Sequence, residues 1–135
     1  MLRIVHIGDI VGSPGRKAFA RIVSRLRDGN KVDVVVVNAE NAAGGRGLTP
    51  ALAEEIFSAG ADVITLGDHA WDQRALIPYI PSEPRILRPA NFRRMHRARG
   101  MCVSKRPRDR LRYWSLSAAY SCPRRIVRSE PRTAS

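Results

Sequence analysis

The sequence predicts an α/β fold with a mainly parallel sheet flanked by helices. Three observations carry that reading. Strand-like and helix-like segments alternate as β-α-β-α-β-α-β over roughly the first 90 residues, a rhythm that implies parallel strands joined by right-handed crossovers. Val34-Val35-Val36-Val37 is a β-branched run with no polar face, as in a strand covered on both sides. Three strand-like runs each lead into an acidic residue, Asp9, Glu40 and Asp68, which lie 31 and 28 residues apart. Each interval is one strand–helix–strand unit. Parallel strands would bring all three to one edge of the sheet, where open α/β sheets bind ligands.

The elements follow in order. Residues 2–7 read as the first strand. Ser13-Pro14 then offers a capping hydroxyl and a proline whose missing N–H costs nothing at a helix start. Ala18, Phe19, Ile22, Val23 and Leu26 recur at helical spacing, and Asp28-Gly29-Asn30 ends that helix. Residues 32–37 form the second strand, and 38–48 a glycine-rich loop. Thr49-Pro50 repeats the cap-plus-proline signal before the stripe Leu52, Ala53, Ile56 and Ala59, with Gly60 as the stop. Residues 63–66 form the third strand. Asp72 is placed as the cap of a short helix running to Ile80, and Ile86-Leu87 opens a fourth strand leading into Arg88-Pro89-Ala90-Asn91.

A chain of 135 residues suggests one domain, yet its charge divides it. Residues 1–92 hold 11 Lys+Arg against 10 Asp+Glu, whereas 93–135 hold 13 against 2. Nearly all of the net +12 therefore lies after Phe92, in a segment whose apolar residues have no sustained period. Tyr113-Trp114-Ser115-Leu116 is its one compact apolar stretch before Ile126-Val127. No apolar run approaches the roughly 20 residues that span a bilayer. Asp9 interrupts the apolar N-terminus and no cleavage pattern follows, which argues against a secretory signal. Cys102 and Cys122 form neither a zinc motif nor a disulfide framework. A cytoplasmic location is the expectation.

Asp9, Glu40, Asn41, Asp68 and His69 are oxygen and nitrogen donors without a cysteine among them. Such a set suits Mg²⁺, Mn²⁺ or Fe²⁺ better than a structural zinc. A carboxylate at the middle strand end could bridge two ions, and a two-metal centre favours displacement at phosphorus. His69 could protonate a leaving oxygen, since imidazole titrates near neutrality. Each residue alone has a plainer reading, as a turn residue, a helix cap or a packed ring. Their conjunction at three successive strand ends favours chemistry. The residues from Gly8 to Gly15 form neither a dinucleotide fingerprint nor a P-loop. Gly44-Gly45-Arg46-Gly47 reads as loop geometry, with Arg46 solvated rather than bound to phosphate. Trp71 reads as packing at the rim, and His6 as a core residue within a strand.

Three motifs make a family resemblance specific: Ile7-Gly8-Asp9-Ile10-Val11-Gly12-Ser13-Pro14-Gly15-Arg16, Asn38-Ala39-Glu40-Asn41-Ala42-Ala43-Gly44-Gly45-Arg46-Gly47-Leu48-Thr49, and Thr65-Leu66-Gly67-Asp68-His69-Ala70-Trp71-Asp72. Over about residues 1–92, with Arg88-Pro89-Ala90-Asn91 included, the chain resembles the YmdB-like metallophosphoesterases, relatives of the calcineurin-like binuclear phosphoesterases. The resemblance implies the N-terminal part of a metallophosphoesterase fold, a centre of two divalent metal ions, Fe or Mn, and hydrolysis of phosphodiesters such as 2′,3′-cyclic nucleotides. By that resemblance Asp9 and Asn41 bind one metal, Glu40 bridges, Asp68 binds the second and His69 is the proton donor. The family carries Asn where this chain has Asp68, and draws further histidine ligands from its C-terminal half. Here only His96 follows His69. The resemblance therefore implies a truncated enzyme of feeble activity, with 93–135 a disordered or out-of-frame tail. The alternative function is nucleic-acid binding by that tail, whose basic residues could meet phosphates and whose Tyr113, Trp114 and Tyr120 could stack on bases. No recognised nucleic-acid-binding motif accompanies them.

Overall fold

The computed structural model describes residues 3–29 and 32–89, together with the backbone of 101–103 and 112–114. Strands β1 (Ile4–Ile7), β2 (Val34–Asn38), β3 (Val63–Thr65) and β4 (Ile86–Leu87) form one sheet in the order β1-β2-β3-β4. Every pairing is parallel, with Val5 opposite Val35, Val37 opposite Ile64, and Ile64 opposite Ile86. Helices α1 (Gly12–Asp28), α2 (Pro50–Ser58) and α3 (Leu76–Tyr79) make the three crossovers, the last continuing into a single 3₁₀ turn at Ile80–Ser82. A strand order that never reverses, combined with one crossover hand, puts all the helices on one face. The core agrees. Phe19 and Val23 of α1, Ala53 and Ile56 of α2, and Leu76 of α3 share one cluster with Val35, Val37, Ile64 and Ile86. Val34, Val36, Val63 and Leu87 point the other way and form a second buried cluster.

The four valines of β2 are thus buried on both faces, as the unbroken β-branched run implies. Burying each such side chain stabilises the fold by about 1.5–3 kcal/mol before chain entropy is counted. His6 departs from expectation. It is exposed, because β1 is an edge strand and its Ile4/His6 side is largely open; Ile4 keeps 46% of its surface.

The helix entries also correct the sequence reading in part. Thr49 caps α2 as expected, its Oγ1 accepting the Leu52 N–H at 3.3 Å, with Pro50 in the first turn. Ser13 does not cap α1; Val11 holds that position and no side-chain cap bond is made. Asp72 caps no helix. α3 begins only at Leu76, and the Asp72 carboxylate is engaged elsewhere. Beyond residue 89, β5 (Met101–Val103) pairs antiparallel with β6 (Arg112–Trp114), a pairing that the sequence periodicity does not predict. Three-residue strands are too short to show a period, and only the β-prone Val103, Tyr113 and Trp114 hint at them. The rest of 93–135, and with it the expectation of a poorly packed tail, lies outside the described residues, as do Ala90 and Asn91.

Candidate metal centre

Backbone bonds lock the three strand ends together. Past β1, the Ile10 N–H donates to the Asn38 carbonyl and the Gly12 N–H to the Asn41 carbonyl, each at 3.0 Å. Past β2, the Ala39 N–H reaches the Thr65 carbonyl at 3.1 Å, and past β3 the Leu66 N–H reaches Leu87 at 2.9 Å. Asp9, Glu40, Asn41, Asp68 and His69 therefore all emerge from the carboxyl edge of the sheet, as the motif spacing predicts.

Two polar assemblies form there. In the first, the Asn41 Nδ2–H donates to Asp9 Oδ1 at 2.8 Å. This fixes the amide, and its Oδ1 is buried with no hydrogen-bond partner. An orphaned buried carbonyl oxygen is costly unless a cation or donor completes it. In the second, Glu40 Oε2 accepts the main-chain N–H of His69 at 3.0 Å. The Glu40 carboxylate lies so close over Gly67 that a Cβ there would collide with both of its oxygens. Position 67 must be glycine for Glu40 to hold this pose.

The second assembly continues outward. His69 Nδ1 lies 2.8 Å from Asp72 Oδ2, and the same oxygen accepts the Arg46 Nε–H at 3.0 Å. Gln73 Nε2 donates to the Arg46 carbonyl at 3.0 Å. Gly47 permits this contact through its positive φ of 78°, and a Cβ there would stand 2.6 Å from Gln73 Cγ. The hydrogen bond with His69, reinforced by the Arg46 charge, holds the Asp72 carboxyl below the usual carboxylate range. Asp72 is the residue that sequence reasoning misplaced; Arg46 is largely solvated, as expected, its side chain 72% exposed while its Nε–H meets Asp72. The signal available was the His-x-x-Asp spacing, which brings i and i+3 together in a turn. Asp68 is exposed at the same edge. Trp71 packs against the main core, in keeping with its expected place at the rim.

The donor chemistry fits a hard divalent cation at one point, the unpartnered Asn41 oxygen beside Asp9. It is not a full ligand set. Among the described residues no three His, Cys, Asp or Glu side chains are gathered closely enough to hold an ion themselves.

The chain thus has a parallel sheet with crossover helices on one face and acidic strand ends along one edge. The model of the YmdB-like protein family matches residues 5–126, past the change in composition at Phe92, and the chain belongs to that family. A 2′,3′-cyclic-nucleotide 2′-phosphodiesterase of Bacillus subtilis is 43% identical over 91 residues, covering 67% of this chain and 34% of that protein. Two crystal structures superpose well. A hypothetical protein from Thermus thermophilus gives a TM-score of 0.78 at 30% identity, over 85% of this chain and 44% of that one. A novel phosphatase from Mycoplasma pneumoniae gives 0.77 at 28% identity, over 85% and 42%. The chain thus spans about a third of the length of the curated relatives it matches. Among the described residues no helix is long and apolar enough to cross a membrane.

Proposed function

We propose that this chain carries the N-terminal part of a metal-dependent phosphoesterase acting on phosphodiesters, with 2′,3′-cyclic nucleotides as the substrate class. The observation that carries this is the Asn41 amide, tied to Asp9 through its nitrogen and left with a buried, unpartnered oxygen at the carboxyl edge of the sheet. Asp9, Asn41, Glu40 and Asp68 are the residues of this segment that would hold divalent ions, Fe or Mn, with Asn41 Oδ1 beside Asp9 the point that fits one best. When bound, such ions would supply Lewis acidity to water and to the phosphoryl oxygens. The chain's own residues do the rest. Glu40, held against Gly67, fixes the main chain of His69, and His69 gives a proton to the departing oxygen.

Among the described residues these four ligands are too few for two ions, so water would fill the vacancies and turnover should be slow. Purified protein is expected to bind Mn²⁺ or Fe²⁺ weakly and to hydrolyse bis-p-nitrophenyl phosphate only just above background. Asp9→Ala should abolish both. Metal-independent hydrolysis, or full activity that survives Asp9→Ala, would overturn the assignment. Residues 93–135 are read as separate from this site, on the strength of their charge. The family match to residue 126 weighs against an out-of-frame origin. The encoding DNA, read in the other two frames past codon 92, decides the point: missing histidine motifs would be found there if the frame has shifted.

A further inference from the structure

Helix α1 carries five cationic side chains, and the fold treats them in two ways. Arg16 is paired with Glu55 and Arg27 with Asp62, both on the packed flanks of the helix. Lys17, Arg21 and Arg25 are exposed, and among the described residues nothing pairs with their side chains. Asp28, the one carboxylate of α1, accepts the Ser24 hydroxyl at 3.4 Å instead. The three free cations are spaced four residues apart, so each lies about 6 Å along the axis from the next, on a single ridge. Arg21 stands two residues from both Phe19 and Val23, about 200° round the helix, which sets the ridge opposite the buried side. Like charges at this spacing repel one another, and the protein alone gains nothing from the arrangement.

We infer that this ridge binds the sugar–phosphate backbone of single-stranded nucleic acid. Three cations in line meet a row of phosphates better than they meet one small anion, and such a ligand relieves their mutual repulsion. Contacts of this kind hold a strand without reading its bases. An anionic membrane fits less well. A helix that lies in a bilayer surface offers it a broad apolar face. α1 buries Phe19 and Val23 in the core, and Ile22, at 49%, is its one exposed large apolar side chain. The ridge also starts beside the candidate centre, since Lys17 lies five residues past Gly12, whose N–H is bonded to the Asn41 carbonyl. On the phosphoesterase reading above, on which this clause alone rests, a strand lying on α1 brings its terminal phosphodiester to the carboxyl edge of the sheet. Oligonucleotides ending in a cyclic phosphate would then be held better than free cyclic nucleotides.

Fluorescence anisotropy of a labelled oligouridylate with the full chain tests the surface. The triple variant Lys17→Gln, Arg21→Gln, Arg25→Gln should bind about tenfold or more weakly at low salt. Its slope of log K against log salt should be shallower by about 2, the share of three phosphate contacts on a single strand. Its thermal melting should match the wild type, because these side chains make no contact that holds the fold. Arg21→Lys with Arg25→Lys should bind normally, since a backbone contact of this kind asks for charge rather than for a planar fork. Arg124→Gln, Arg125→Gln and Arg128→Gln together remove the same charge from the Arg-rich segment and should cost clearly less. An equal or larger loss in that control, an unchanged salt slope in the α1 variant, or wild-type binding to phosphatidylserine vesicles but not to the oligonucleotide would overturn the proposal. A wild-type chain with no metal-dependent turnover would overturn the phosphoesterase reading instead, and the anisotropy would still decide the role of α1.

Discussion

α1 and α2 both begin just after a strand-end loop, yet they are anchored in different ways. α2 carries its own cap: Thr49 Oγ1 closes the first turn and Pro50 presets its backbone. α1 has no side-chain cap. Its entry is held from another part of the chain, by the backbone bonds from Ile10 and Gly12 to Asn38 and Asn41. Arg16 strengthens the link, donating through Nη1 to the Ala42 carbonyl at 2.7 Å and through Nε to Glu55 at 2.9 Å. The difference teaches that the loop carrying Asp9 is set by the loop carrying Glu40 and Asn41. The first strand end is not an independent part of the site.

If α1 is held chiefly by its buried face and by that borrowed loop, removing its largest core side chain should have the greatest effect. Phe19, 1% exposed, should cost about 3–5 kcal/mol as Phe19→Ala. Urea denaturation would measure it, and a loss below about 1 kcal/mol would mean that the loop alone holds α1. Thr49→Ala should cost about 1 kcal/mol, the worth of a good cap. The Tyr79 hydroxyl joins the end of α3 to Glu54 of α2, and its pKa is raised to about 12 by partial burial first and then by the bond to Glu54. The folded state therefore holds this proton more tightly than the unfolded chain. The stabilisation is complete below about pH 10 and fades as pH rises towards 12. Tyr79→Phe should flatten the stability profile in that window; an unchanged profile would dissociate Tyr79 from it. The smallest effect is expected for Ser13→Ala, within about 0.5 kcal/mol, as for a surface residue that caps nothing. A loss near that of Thr49→Ala would erase the contrast between the two helices.

What the sequence reveals follows the same division. Thr49-Pro50, Gly60 and the four valines act through neighbours in the chain or through burial, and their structural roles could be read directly. The strand-end spacing also yielded the parallel sheet, because one crossover hand leaves few alternatives. Ser13 was misread as a cap because its competitor, the bond from Gly12 to Asn41, spans 29 positions. Asp72 was misread because its carboxylate turns back to His69 within the same loop and meets Arg46, which becomes a neighbour only when two loops fold together. His6 was placed in the core because a strand's periodicity does not say whether the strand lies at the sheet's edge. The site's residues were legible by type and by edge, but the contacts that orient them were not.

Gly67 and Glu40 are mould and cast: the missing side chain of one is the space occupied by the carboxylate of the other. Genetically the two positions should then behave as one locus. Any residue placed at 67 evicts the Glu40 carboxylate and, with it, the bond that fixes the His69 backbone, so its phenotype should be that of a Glu40 variant. In a saturation scan scored by metal-dependent hydrolysis, Gly67→Ala and Glu40→Gln should fall in the same class, and combining them should do little further harm.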